Sequence, residues 1–127
     1  MAKILVVEDD QFTQNFIREV LEEINYQVLT TFSGDQAIAN LKKNSDIKLI
    51  LLDIMLPGRS GWDIFMELRR AYPNLKVVFI SAIEVSDERR SSLINKDGLA
   101  DYIVKPFTQE KLLKVVKKVL SKELLSS

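Results

Sequence analysis

Lys48-Leu49-Ile50-Leu51-Leu52-Asp53 is an aliphatic run that stops on a carboxylate, and the manner in which it is apolar decides the fold. A strand with one wet face alternates apolar and polar residues. This stretch has no polar position between Lys48 and Asp53, so both of its faces must be covered. Ile4-Leu5-Val6-Val7 and Lys76-Val77-Val78-Phe79-Ile80 have the same character, and two shorter runs, Gln27–Thr31 and Ala100–Val104, complete five expected strands.

The segments between them carry helical spacing. Phe12, Phe16, Ile17, Val20, Leu21 and Ile24 form one apolar stripe, and Leu112, Leu113, Val116, Val119 and Leu120 form another near the end of the chain. Helix starts are marked by Asp10 as an N-cap, Ser33 with Gln36, Ser60 with Asp63, and Thr108. Trp62 and Phe65, just behind Ser60, read as core or pocket-edge packing. Buried parallel strands alternating with helices give an α/β class: a doubly wound five-stranded parallel sheet with five helices, flavodoxin-like, for which 2-1-3-4-5 is a common order. In such sheets ligands bind at the carboxyl ends of the strands, beside the switch point.

Composition removes much of enzymology. The 127 residues include neither cysteine nor histidine, which excludes disulfides, thiolate or imidazole metal sites, Ser-His and Cys-His catalysis, and phosphohistidine on this chain. Lys plus Arg (18) equal Asp plus Glu (18), and this balance argues against direct nucleic-acid binding. No apolar run approaches the ~20 residues of a membrane span, and no secretory signal is evident, so a cytoplasmic protein with no membrane partner is expected. The length fits a single domain over residues 1–127 with its core near 3–120, and the tail from Ser121 to Ser127 holds no output domain.

The strand ends carry the chemistry. The first expected strand ends in Glu8, Asp9 and Asp10, the third in Asp53, the fourth in Ser81 and Ala82, and the fifth in Lys105 and Pro106. Adjacent central strands would bring Glu8, Asp9 and Asp53 together; at ~5 Å and an effective dielectric near 20, each carboxylate pair repels by about 3 kcal/mol. A cation must compensate, supplied by Lys105, a divalent metal, or both. Oxygen donors without His or Cys suit Mg²⁺, or Mn²⁺. An Asp53 carboxylate facing such a cationic pocket can attack phosphorus to give an aspartyl phosphate, with Ser81 bonding a phosphoryl oxygen.

This constellation resembles the receiver domain of two-component response regulators across nearly the whole chain, and in length the single-domain chemotaxis-type regulators. The likeness rests on Ile-Leu-Val-Val-Glu-Asp-Asp (Ile4 to Asp10), Leu-Leu-Asp-Ile-Met-Leu-Pro-Gly (Leu51 to Gly58), Ile-Ser-Ala (Ile80 to Ala82) and Asp-Tyr-Ile-Val-Lys-Pro-Phe (Asp101 to Phe107). The resemblance implies that Asp53 is the phosphoacceptor and that Glu8, Asp9, Asp53 and the Met55 backbone carbonyl hold Mg²⁺. It further implies that Ser81 and Tyr102 are switch residues, that Lys105 pairs the phosphate, and that the Lys105–Pro106 bond is cis. Glu8 stands where Asp is also common; one methylene longer, it is expected to reach a metal through water.

The implied partner is a histidine kinase or a histidine phosphotransfer protein, and the implied role is that of a signalling phosphoacceptor, which catalyses its own phosphorylation and dephosphorylation, rather than a turnover enzyme. The segment Val85 to Lys96, anchored mainly by Leu93 and Ile94, is expected to be a marginal helix and the most mobile part of the signalling face. Movement of Ser81 coupled to Tyr102 turning inward would relay the state to the face made by that helix, the Ala100–Val104 strand and the last helix. The last helix carries Lys111, Lys114, Lys117, Lys118 and Lys122 against Glu110 and Glu123, either a solvated basic face or a docking surface for an acidic partner or a second receiver. Two rivals stand beside this reading. A Mg²⁺-dependent phosphatase or phosphotransferase would use Asp53 as a turnover nucleophile, but Met55 stands where its second acid would be. A degenerate receiver would serve only as a protein-interaction module.

Overall fold

The computed structural model describes residues 2–126, with side chains through residue 121. Five strands, β1 (Lys3–Val7), β2 (Gln27–Thr31), β3 (Ile47–Asp53), β4 (Lys76–Ser81) and β5 (Asp101–Val104), alternate with helices α1 (Gln11–Glu23), α2 (Gly34–Lys43), α3 (Gly61–Ala71), α4 (Asp87–Asn95) and α5 (Gln109–Ser126). All strand pairs are parallel and the order is β2-β1-β3-β4-β5, as the unbroken apolar runs require. Leu49 through Leu52 are all fully buried.

Strand periodicity sorts the core into two layers. Leu5, Val7, Ile50, Leu52 and Phe79 face α2, α3 and α4 through Leu41, Ile64, Phe65 and Leu93. Ile4, Val6, Leu49, Leu51 and Ile80 face α1 and α5 through Ile17, Leu21, Leu112 and Val116. The ladders continue past the apolar runs: Asp53 pairs with Ile80 and Ser81 with Val104, so these two candidate residues are themselves the last ladder positions. Ala100 lies just outside β5. Asp10, Ser33, Ser60 and Thr108 each cap a helix as expected, and Ser86 caps α4.

One part of the α1 stripe is corrected. Phe12 is 87% exposed and Phe16 38%, whereas Gln14 is buried with Ile17, Val20 and Leu21. At about 100° per residue, position 12 lies some 200° from position 14, so the two phenylalanines are carried off the core face. Trp62 and Phe65 are core packing: Phe65 stacks edge-on to Phe79 at 5.1 Å, and Phe79 stands edge-on to Tyr102 at 6.2 Å. In α4 the buried side chain is Leu93, with Ile94 partly covered. Lys111, Lys114, Lys117 and Lys118 are exposed, while the side chains of Lys122 and Glu123 lie outside the described residues. Among the described residues no helix is long and apolar enough to cross a membrane.

Candidate functional site

Because β1 and β3 are neighbours, the residue after β1 and the last residue of β3 share one rim of the sheet. Glu8 and Asp53 are almost fully buried there, 1% and 4% exposed, and Asp9 beside them is open to solvent. Lys105, just past β5, closes over the pair: its Nζ donates to both Glu8 carboxylate oxygens at 2.8 and 3.1 Å and to Asp53 Oδ2 at 3.0 Å. The Lys105–Pro106 bond is cis. Burial, together with the Asp53 carboxylate alongside, pushes Glu8 up to about 7 against the pull of Lys105. For Lys105 burial works the other way, but its hydrogen bonds to Glu8 and Asp53 outweigh it and hold the ammonium above the ordinary lysine value.

The loop behind Asp53 is held tightly. The Met55 N–H donates to Asp53 Oδ1 at 2.9 Å, and the Gly61 N–H donates to the Ile54 carbonyl at 2.8 Å. A Cβ on Gly61 would come within 2.3 Å of the Asp53 carbonyl oxygen, so only glycine lets α3 start this close to the strand end. Glu8, Asp9 and Asp53 can each offer a carboxylate oxygen within 4.8 Å of one another. Three carboxylates with no imidazole or thiolate are a donor set for a hard divalent cation, and one that keeps several of its waters needs no more. Asp10 is outside this group: its carboxylate accepts from the Thr13 N–H at 3.0 Å as the α1 cap.

Ser81 is fully buried, and its hydroxyl accepts from the Ile83 N–H at 3.1 Å; the hydroxyl does not bond Asp53 or Lys105, although the Ser81 carbonyl accepts from the Lys105 N–H at 2.7 Å. Tyr102 is turned inward, 4% exposed, and donates its hydroxyl to the Ile83 carbonyl at 2.6 Å. One residue therefore links the two: Ile83 gives its N–H to Ser81 and its carbonyl to Tyr102. These bonds join a strand-end hydroxyl to the face formed by α4, β5 and α5.

A profile of the response regulator receiver domain matches residues 4–117. The chain belongs to that family. The receiver domain is 39% identical over 111 residues to the transcriptional regulatory protein HprR of Escherichia coli, covering 87% of this chain and 48% of that protein. It is 32% identical over 120 residues to protein CcdB of Bacillus subtilis, covering 94% and 98%. A CheY-like receiver domain from Methanospirillum hungatei superposes with a TM-score of 0.88 at 25% identity, covering 100% of this chain and 99% of that one. The receiver spans about half the length of most of the curated relatives it matches, HprR and CusR among them.

Sequence reasoning missed two features of this receiver. A cleft of about 460 Å³ beside Lys105 is lined by Phe12, Phe16, Phe107 and Ala82; periodicity alone places Phe12 and Phe16 in the core. Asp101, 1% exposed, joins three elements: it accepts from Arg90 of α4, from Lys118 of α5 at 3.3 Å, and from the Tyr102 N–H at 2.8 Å. Burial would raise its carboxyl, but the Arg90 guanidinium and the Tyr102 amide prevail and hold it below the ordinary carboxylate value. A carboxylate depressed on folding stabilises the fold above its unfolded pKa and loses that contribution as pH falls through the folded one. Thermal unfolding followed from about pH 5 down to pH 2 is expected to show a loss of stability that Asp101→Asn flattens; parallel curves for parent and variant would contradict it.

Proposed function

We propose that this receiver is a phosphorylation switch in which Asp53 takes a phosphoryl group from the phosphohistidine of a histidine kinase or histidine phosphotransfer protein. The observation that carries this reading is the buried Asp53 carboxylate held by a single ammonium, Lys105, beside two further acids. These 127 residues contain no histidine, so the donor phosphohistidine lies outside them. Glu8, Asp9 and Asp53, with the Met55 backbone carbonyl, would hold Mg²⁺ or Mn²⁺, which supplies positive charge to the phosphoryl oxygens in transfer.

The chain's own residues divide the remaining work. Asp53 attacks phosphorus as the bond to the donor nitrogen breaks, and the Met55 N–H orients its other oxygen. Lys105 leaves the carboxylate for the incoming phosphoryl oxygens, whose charge outbids it. Ser81 gives up the Ile83 N–H to bond the phosphate, and through Ile83 this disturbs the Tyr102 hydroxyl and with it the α4, β5, α5 face. That face would pass the signal to a partner or output domain, or to a second receiver. The apolar cleft with Phe12 at its rim suits docking of the donor beside the site.

The lifetime of the phosphoryl group follows from what flanks it. Met55 and Ile83 are 60% and 48% exposed at the rim, and neither can polarise an attacking water. Phosphorylated protein is therefore expected to hydrolyse slowly, and a Met55→Asn, Ile83→Glu variant to lose its phosphoryl group about tenfold faster or more, within the range of general acid–base assistance; an unchanged or longer half-life by mass spectrometry would refute this. The reading as a whole is tested by intact mass after incubation with acetyl phosphate and Mg²⁺. A folded protein that gains no phosphoryl group would point instead to a receiver acting purely as an interaction module.

A further inference from the structure

Gln14 occupies a core position that the structure, rather than the hydrophobic pattern, reveals. It lies on the inward face of α1 with Ile17, Val20 and Leu21, and it is 1% exposed. An amide placed there must find partners, and both are main-chain carbonyls at strand ends. Gln14 Nε2 donates to the Glu8 carbonyl at 3.2 Å and to the Thr31 carbonyl at 3.0 Å. The Thr31 carbonyl also accepts from the Glu8 N–H at 3.1 Å. Glu8 lies past the end of β1, where the strand ladder no longer holds it, yet its backbone is fixed on both sides: the N–H by β2 and the carbonyl by Gln14.

The Glu8 carbonyl belongs to the same planar peptide as the Asp9 N–H. Whatever orients that carbonyl orients the link between the two neighbouring acids of the site. We infer that Gln14 is a positioning residue that sets the Glu8–Asp9 peptide, and thereby the directions in which the two carboxylates are presented to a cation. An apolar residue of similar length would fill the same space on α1 and leave the peptide free to rotate. The two-pronged donation explains why an amide stands among aliphatic neighbours: it donates to the Glu8 carbonyl past the end of β1 and adds a second donor to the Thr31 carbonyl.

This inference rests on the acidic group being a cation site, so its test separates the two. Gln14→Met keeps the length and removes the donors. Leu41→Ala serves as the control for lost stability, because Leu41 is buried beside Ile47, at the opposite end of β3 from Asp53. In the metal-free protein the Asp9 backbone amide resonance is expected to shift and broaden in Gln14→Met and to stay in place in Leu41→Ala. In Mg²⁺ titrations followed by the same amide, Gln14→Met is expected to weaken binding about tenfold, the range seen when an outer-shell partner of a ligand is lost. An Asp9 amide unmoved by Gln14→Met, or Mg²⁺ affinity equal to the parent's, would overturn the positioning role. Failure of the parent itself to bind Mg²⁺ would instead overturn the reading of the site, and the metal-free spectra would still decide whether Gln14 orients the peptide.

Discussion

Asp53→Ala is expected to abolish the mass gain of about 80 Da that the parent shows after incubation with acetyl phosphate and Mg²⁺. The effect is all-or-none because the other acids near the phosphoryl position are not equivalent nucleophiles. Glu8 is turned to Lys105 and sits at a raised pKa of about 7, and Asp9 is open to solvent. The variant should also remain folded. Removing one carboxylate relieves a like-charge repulsion of about 3 kcal/mol at ~5 Å, and Lys105 keeps both of its bonds to Glu8. Loss of phosphorylation with a thermal midpoint equal to or above the parent's would therefore be a chemical effect. A phosphoryl group found on Asp53→Ala would move the acceptor to another residue and end the reading of this site.

The fold and most of the site were legible because both depend on patterns local in sequence. A strand buried on two faces has no polar position to spare, and Leu49 through Leu52 announce that directly. Parallel topology then puts every strand's carboxyl end on one rim, so Glu8, Asp53, Ser81 and Lys105 could be gathered before any coordinate was known. What escaped was set by side-chain direction and by tertiary partners. Phe12 and Gln14 differ by two positions on one helix, and hydrophobicity alone put the phenylalanine inside; the actual phase of α1 is fixed by Ile17, Val20 and Leu21. The inward turn of an amide there depends on the Glu8 and Thr31 carbonyls, 6 and 17 positions away in the chain. Asp101 was visible only as part of a motif, since its pairing with Arg90 and Lys118 requires knowing which faces of α4 and α5 meet β5. The Ile83 link between Ser81 and Tyr102 is a backbone arrangement that no residue identity encodes.

Lys105→Met should change both stability and chemistry, in ways that Mg²⁺ separates. Methionine approximates the length of lysine but leaves Glu8 and Asp53 facing each other without a cation, at 1% and 4% exposure. Removing one member of a buried charge cluster costs about 3–5 kcal/mol when nothing compensates. Here Glu8 can compensate in part: with its pKa already about 7, it takes up a proton readily. An acid whose pKa is raised on folding favours the folded state at low pH, and that contribution is lost as pH rises through the folded value. The stability deficit of Lys105→Met is therefore expected to grow as pH rises through 7 and to shrink below it, amounting at alkaline pH to roughly 10 °C in thermal midpoint. Mg²⁺ should recover most of it, because a divalent cation replaces the missing charge. Phosphorylation by acetyl phosphate should not recover in the same way. The ammonium that meets the charge developing on the phosphoryl oxygens is gone, and loss of one such preorganised donor slows a reaction by about 10²–10³. A variant as stable as the parent without Mg²⁺ across this range, and phosphorylated at the parent's rate with it, would show that Lys105 is a bystander held by two acids rather than the residue that exchanges Asp53 for a phosphate.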